Sequence, residues 1–201
     1  MNQGELVPVK VSDGYKGKNT FYITNAIGRS CFGLELGSRI MTSLAEQEGM
    51  ILQARATDPR YTKAKVIGIG YKEGYPAWDG VFRKAAGDEV ALSRVTNEFA
   101  VYYFSNVPEN FIKTTGLKWD DAITHPLLQS TLISLTDYLW HSGRNAKGYY
   151  QAMELVKKND LDGAFEYLKK TAAYKQSGDA RRQVLTNGLY AFNTYWNGTQ
   201  R

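Results

Sequence analysis

The clearest order in the chain lies in its second half, where apolar residues return every three or four positions. Val90, Leu92, Val95, Phe99 and Tyr102 predict a long helix from Asp88 to about Asn106. Leu127, Leu128, Leu132, Leu135 and Leu139 predict another, from about Pro126 to His141, apolar enough to form the centre of a helical lobe and ended by Gly143. Further helices are predicted over Lys147 to Lys158 and from near Asp160, with Ala164, Phe165 and Leu168 facing inward. Asp179 is a cap for a last helix carrying Val184, Leu185 and Leu189.

The first half reads differently. Residues 1–37 are rich in Gly, Lys, Ser and Thr, with short β-type pieces at Leu6–Val11 and Thr20–Thr24, and form an extension whose role no motif reveals. Ser38 is a plausible N-cap for a short helix with Ile40, Met41 and Leu44 on one face, and Gly49 is its stop, so Glu48 falls in the last turn. Ile51–Ala56 and Val66–Tyr71 read as two strands of a hairpin, joined by a loop that opens with the turn chemistry of Thr57-Asp58-Pro59. On a strand, Gly68 and Gly70 would share one face. The expected fold class is α+β, predominantly α: a small β-hairpin lobe and a helical lobe with a cleft between them, in a domain over residues 38–201.

Composition narrows the function classes. At 201 residues, 43% hydrophobic and 22% charged, the chain has the makings of a packed domain. Its formal charge of +5 favours acidic partners such as nucleic acid, anionic lipid or acidic cell-wall polymers. No long basic run marks a nucleic-acid tail, and no apolar run of roughly 18 residues marks a membrane span. The first residues, MNQGELVPVK, lack the apolar run of a signal peptide, so the expectation is synthesis in a cytoplasm with delivery by another agent. Cys31, the single cysteine, allows no intrachain disulfide.

Candidate chemistry reduces to carboxylates. His125 and His141 stand apart from any metal-ligand cluster, and the phosphate-loop, nucleophile-elbow and dinucleotide motifs are missing, so no cofactor is expected. A glycosidase needs a proton donor and a second carboxylate that acts as base or nucleophile. At a helix C-terminus Glu48 meets partial negative charge, and a cleft wall would remove water; both favour the protonated form that a general acid needs. Asp58, in a turn, would stay ionised and suits water activation, with Thr57 and Thr62 nearby to hold that water. Taken alone, a solvated glutamate at a helix end and an ordinary Asp-Pro turn explain the same residues.

An ordered set of segments shifts that balance. EGMILQARATDPRYTKAKVIGIGY, LISLTDYLWHSG, GYYQAMELVKKNDLDGAFEYLKK and AAYKQSGDARRQVLTNGLYAF occur in the order and spacing of the phage-type lysozymes, which the chain resembles over roughly residues 40–195. A more distant likeness is to the muramidase domain of pesticin-like bacteriocins, which places its acidic partner just after the glycine strand, where this chain has Lys72.

The resemblance implies a lysozyme-like fold and hydrolysis of the β-1,4 bond between N-acetylmuramic acid and N-acetylglucosamine in bacterial peptidoglycan. It implies Glu48 as the acid and Asp58 as the second carboxylate. It also places Gly68, Gly70, Tyr71, Trp140, His141 and Arg181 against the sugar chain, with Arg181 or Arg182 approaching the acid. Where the family has a water-ordering threonine at the start of the glycine strand, this chain has Val66. Thr57 or Thr62 then supplies the hydroxyl, or the stereochemical course differs, or the protein is a weakened or non-catalytic relative. The implied protein is a monomer that needs no metal or organic cofactor and binds no nucleic acid, delivered to the wall by a holin or a virion component. A virion structural or wall-binding protein and a lytic transglycosylase are the alternatives.

Overall fold

In the computed structural model, residues 6–13, 17–56, 65–74 and 78–198 are described. The fold is α+β and predominantly α: nine α-helices, two short π-helical turns and five short strands among the described residues, the strands in two antiparallel sheets. The chain forms two compact units, one of residues 1–30 with 37–102 and the other of residues 31–36 with 103–201.

The first unit begins with a hairpin, β1 (Val7–Ser12) and β2 (Lys18–Ile23), in the register Val7 opposite Ile23. Helix α1 (Leu34–Glu48) follows, then the sheet β3 (Ile51–Ala56), β4 (Lys65–Gly68) and β5 (Tyr71–Lys72), then α2 (Glu89–Tyr103). The outer edge of β2 is covered by α2. The backbone N–H groups of Thr20, Tyr22 and Thr24 donate to Glu89 Oε2 (2.6 Å), Ser93 Oγ (3.0 Å) and Asn97 Oδ1 (3.1 Å). Alternate residues of a strand advance about as far as four residues of a helix, so polar side chains at i, i+4 and i+8 match the strand edge. Ser93 and Asn97 are fully buried for this purpose, and the hydrogen bonds close an edge that would otherwise invite pairing with another chain.

Residues 7–23 pack within the first unit. Two expectations are corrected. Helix α1 starts at Leu34, ahead of Ser38, so Ser38 lies inside it and is not a cap. The run Val66–Tyr71 is not one strand: β4 ends at Gly68, the chain turns through Ile69 and Gly70, and β5 returns beside β4 with Tyr71 opposite Ile67. Gly68 and Gly70 have φ of 63° and 89°, which permit the reversal and take both out of a shared strand face.

The second unit is helical: α3 (Val107–Thr115), α4 (Trp119–Thr124), α5 (Pro126–His141), α6 (Lys147–Lys157), α7 (Leu161–Lys169), α8 (Ala172–Lys175) and α9 (Asp179–Gly198). Helix α5 is central and packs closely on α9. A Cβ on Gly188 would collide with Ser134 and with the Tyr149 hydroxyl, so the helices approach through a glycine. Ser134 Oγ donates to Leu185 O (3.1 Å), Thr131 Oγ1 to Gly188 O (3.0 Å), and Tyr149 Oη to Ser134 Oγ (2.8 Å). Trp119 fastens residues 31–36 to this unit, through Nε1 to Cys31 O at 2.7 Å and an edge contact on Phe32. Among the described residues no helix is long and apolar enough to cross a membrane.

Candidate active site

Glu48 is the last residue of α1 and is half-buried. Gly49, with φ of 69°, turns the chain out of the helix, and its N–H still donates to Ala45 O at 2.8 Å. The N-terminal hairpin clamps this turn. Met50 N donates to Ser12 O (2.7 Å), Asn19 Nδ2 donates to Met50 O (2.7 Å), and a Cβ on Gly49 would collide with Ser12 O. The segment whose role the sequence left open thus holds the residues that immediately follow the candidate acid.

The Glu48 carboxylate lies against the reversal between β4 and β5. A Cβ on Gly70 would stand 2.9 Å from Glu48 Oε2 and 3.2 Å from its Cδ, so a side chain there would require the carboxylate to shift. One side of the carboxylate is thereby walled by bare backbone. Gly68 has a different setting: its Cβ position faces Thr96 Oγ1 at 3.5 Å and Leu92 at 3.7 Å, so it serves the packing of β4 on α2. Tyr71 is 3% exposed, stacked on Phe82 at 3.7 Å and edge-on to Phe99 at 4.8 Å. Its ring is part of the apolar interior of this unit. Val66 is also buried, at 6% exposure, and its side chain has no hydrogen-bonding atom to offer. Asp58, Thr57 and Thr62 lie outside the described residues.

The remaining sequence candidates are in the second unit. Trp140 is half-buried, with its ring 5.0 Å from Tyr103 and 5.9 Å from Phe104. Arg181 meets His141 directly and also pairs with a residue that sequence reasoning missed. Arg181 forms a bidentate pair with Asp137, Nε to Oδ2 at 2.8 Å and Nη2 to Oδ1 at 3.1 Å, and its Nη1 is 2.8 Å from His141 Nδ1. A guanidinium only donates, so this last contact requires the Nδ1 lone pair and puts the imidazole proton on Nε2. Asp137 is fully buried and Arg181 is 8% exposed. A charge so far from water has to be paired, and the forked geometry does that. The signal in the sequence was the only acidic residue of α5, one turn before His141.

Chemically, the first unit offers a carboxylate fixed at a helix end beside bare backbone, and the second offers a cation held rigid by a buried acid and presented to a histidine. Among the described residues no group of three or more His, Cys, Asp or Glu is placed to hold a metal ion. Comparison with known proteins returned no family model, no curated protein and no solved structure that matches the chain.

Proposed function

We propose that the chain is a peptidoglycan hydrolase that cuts the β-1,4 bond between N-acetylmuramic acid and N-acetylglucosamine, with Glu48 as the proton donor. The observation that carries this reading is the seating of the Glu48 carboxylate at the end of α1 against the Gly70 backbone. A backbone wall admits a bulky polysaccharide close to an acid, where a side chain would exclude it. The ordered resemblance of the sequence to phage-type lysozymes points to the same residue.

In the proposed reaction Glu48 gives its proton to the leaving glycosidic oxygen as positive charge develops at the sugar C1. Asp58 stabilises that charge and activates water, which attacks C1; the proton lost by the water passes to the carboxylate acting as base. Thr62 helps to hold the water. Gly68, Gly70, Tyr71, Trp140, His141 and Arg181 are the proposed contacts or supports of the sugar chain. Tyr71 and Gly68 act by shaping the sheet, given their burial and packing. The chemistry is proton transfer and displacement by water, so it calls on no organic cofactor.

A second reading is favoured by one observation. Buried Val66 brings no hydroxyl to the start of β4, which suits a lytic transglycosylase that uses Glu48 alone and closes the muramic acid ring on itself. Solubilisation of purified peptidoglycan separates the readings. Glu48→Gln is expected to lose activity by about a thousandfold, within the usual range for a general acid, while folding normally. Asp58→Asn is expected to be nearly as inactive in a hydrolase and close to fully active in a transglycosylase. Undiminished activity in Glu48→Gln would refute both.

A further inference from the structure

The second unit contains a cavity of about 370 Å³ bordered by α3 and α6, away from Arg181, His141 and Trp140 in its lining. A volume of this size is at the small end of ligand pockets and fits a monosaccharide or a dipeptide. Tyr103, Val107, Leu139 and Ala146 contribute apolar surface, and polar side chains share the walls: Asn110 and Lys113 stand one turn apart on α3, and Lys147 and Gln151 lie in the first turns of α6. Three of the lining residues, Lys113, Arg144 and Lys147, are cationic, and none is an Asp or Glu. Cations gathered in a concave site without an acid raise the potential there, and like charges tolerate such proximity best when an anion joins them.

The backbone at one end of the cavity adds an independent sign. Gly143 and Arg144 follow each other with φ of 69° and 74°. The left-handed region is easy for the glycine and unfavourable for the arginine, and such outliers gather where a side chain has to be presented in a set place. Arg144 is fixed there by its own N–H to Leu139 O (3.1 Å), by Nε to Tyr103 O (3.3 Å) and by Nη2 to Ser105 Oγ (3.0 Å). These bonds orient the guanidinium at the cavity rim.

We propose that this cavity is a binding site for a small oxoanion ligand, a sugar- or dipeptide-sized molecule bearing a carboxylate or a phosphate. Lys113, Arg144 and Lys147 take the anion, and Asn110 and Gln151 take hydroxyl or amide groups of the ligand body. The proposal stands apart from the muramidase reading, because none of these residues belongs to the proposed catalytic machinery.

The test is a titration of the nitrogen-15-labelled full chain with N-acetylmuramic acid, glucose 6-phosphate and neutral N-acetylglucosamine, followed through the side-chain amides of Asn110 and Gln151. Saturable shifts are expected with at least one anionic probe, about tenfold or more tighter than with the neutral sugar and weakened by added salt. The tighter of the two anionic probes identifies carboxylate or phosphate as the preferred group. The double variant Lys113→Gln/Lys147→Gln, which alters two exposed side chains, is expected to lose the anionic preference while keeping the wild-type melting temperature. Equal affinity for the neutral sugar, unchanged binding by the double variant, or no response to either anion at millimolar concentration would overturn the proposal.

Discussion

A proton donor works only when its carboxyl is held where the leaving oxygen will be, and Glu48, the proposed donor, is held from two directions: by the helix end and by Gly70. Substitution of Gly70 by Ala tests the second. The new methyl group would meet the carboxylate, and the left-handed backbone costs an alanine about 1–2 kcal/mol. The expected result is a folded variant with modestly lowered stability and activity reduced far beyond that loss, read from peptidoglycan turnover beside a denaturant titration. Equal turnover would show that the carboxylate does not need this wall.

Asp137 makes a sharper stability prediction. Asp137→Asn leaves the Arg181 guanidinium buried without its charged partner, and breaking one half of such a pair costs about 3–5 kcal/mol. Chemical denaturation should show that loss, and an unchanged midpoint would mean that the pair is not buried in solution. At this scale the sequence was partly readable. Glu48 and Gly49 could be singled out at a helix stop, and His141 and Arg181 through the resemblance to phage-type lysozymes. Asp137 could not, because a buried acid is distinguishable from a solvated one only when its partner, 44 positions away, is known to be adjacent.

Among the elements, the long amphipathic helices were the most legible. Pro126–His141 was delimited by its proline at the first turn and by Gly143 beyond its end, and the observed helix has those bounds. The helices Val107–Thr115 and Trp119–Thr124 were not foreseen. They are short, and their apolar residues Phe111 and Trp119 find each other only in the fold, with ring centroids 5.9 Å apart. The glycine run after Val66 was misread as one strand because period-two alternation cannot reveal a reversal that depends on positive φ.

The N-terminal hairpin was opaque for a related reason. Its edge is satisfied by Glu89, Ser93 and Asn97, whose spacing along α2 looks in sequence like an ordinary polar face. Ser93→Ala isolates that contact. It leaves the Tyr22 N–H without its acceptor in a buried setting and is expected to cost about 1–3 kcal/mol. Faster amide exchange at Tyr22, with Thr20 and Thr24 less affected, would be the local signature; uniform exchange rates would argue against the clamp. Gly188→Ala tests the α5–α9 contact in the other unit, where overpacking against Ser134 and Tyr149 is expected to cost about 1–3 kcal/mol or more.

For the whole molecule, charge and buried tyrosines set the response to solution conditions. Burial raises the phenol pKa of Tyr138, Tyr149 and Tyr150 above the ordinary value of 10.0. Below that value these tyrosines are neutral in both folded and unfolded chains and contribute fully to stability. Above it the unfolded chain ionises while the folded one resists, so stability falls as pH rises past about 10. An absorbance titration should therefore show late-titrating tyrosines whose ionisation coincides with loss of helix, and Tyr149→Phe should lessen the alkaline decline while losing the bond to Ser134. The net charge of +5 predicts that adsorption to an acidic cell wall weakens with salt.

The central claim is that Glu48 protonates a glycosidic oxygen and water completes the cut. Digestion of purified peptidoglycan in oxygen-18 water, with mass spectrometry of the released muropeptides, tests it most directly. The account predicts reducing-end muramic acid carrying one oxygen-18, formed by the wild type and not by Glu48→Gln. Anhydro-muropeptides without the label, or no muropeptides from a folded wild type, would contradict it.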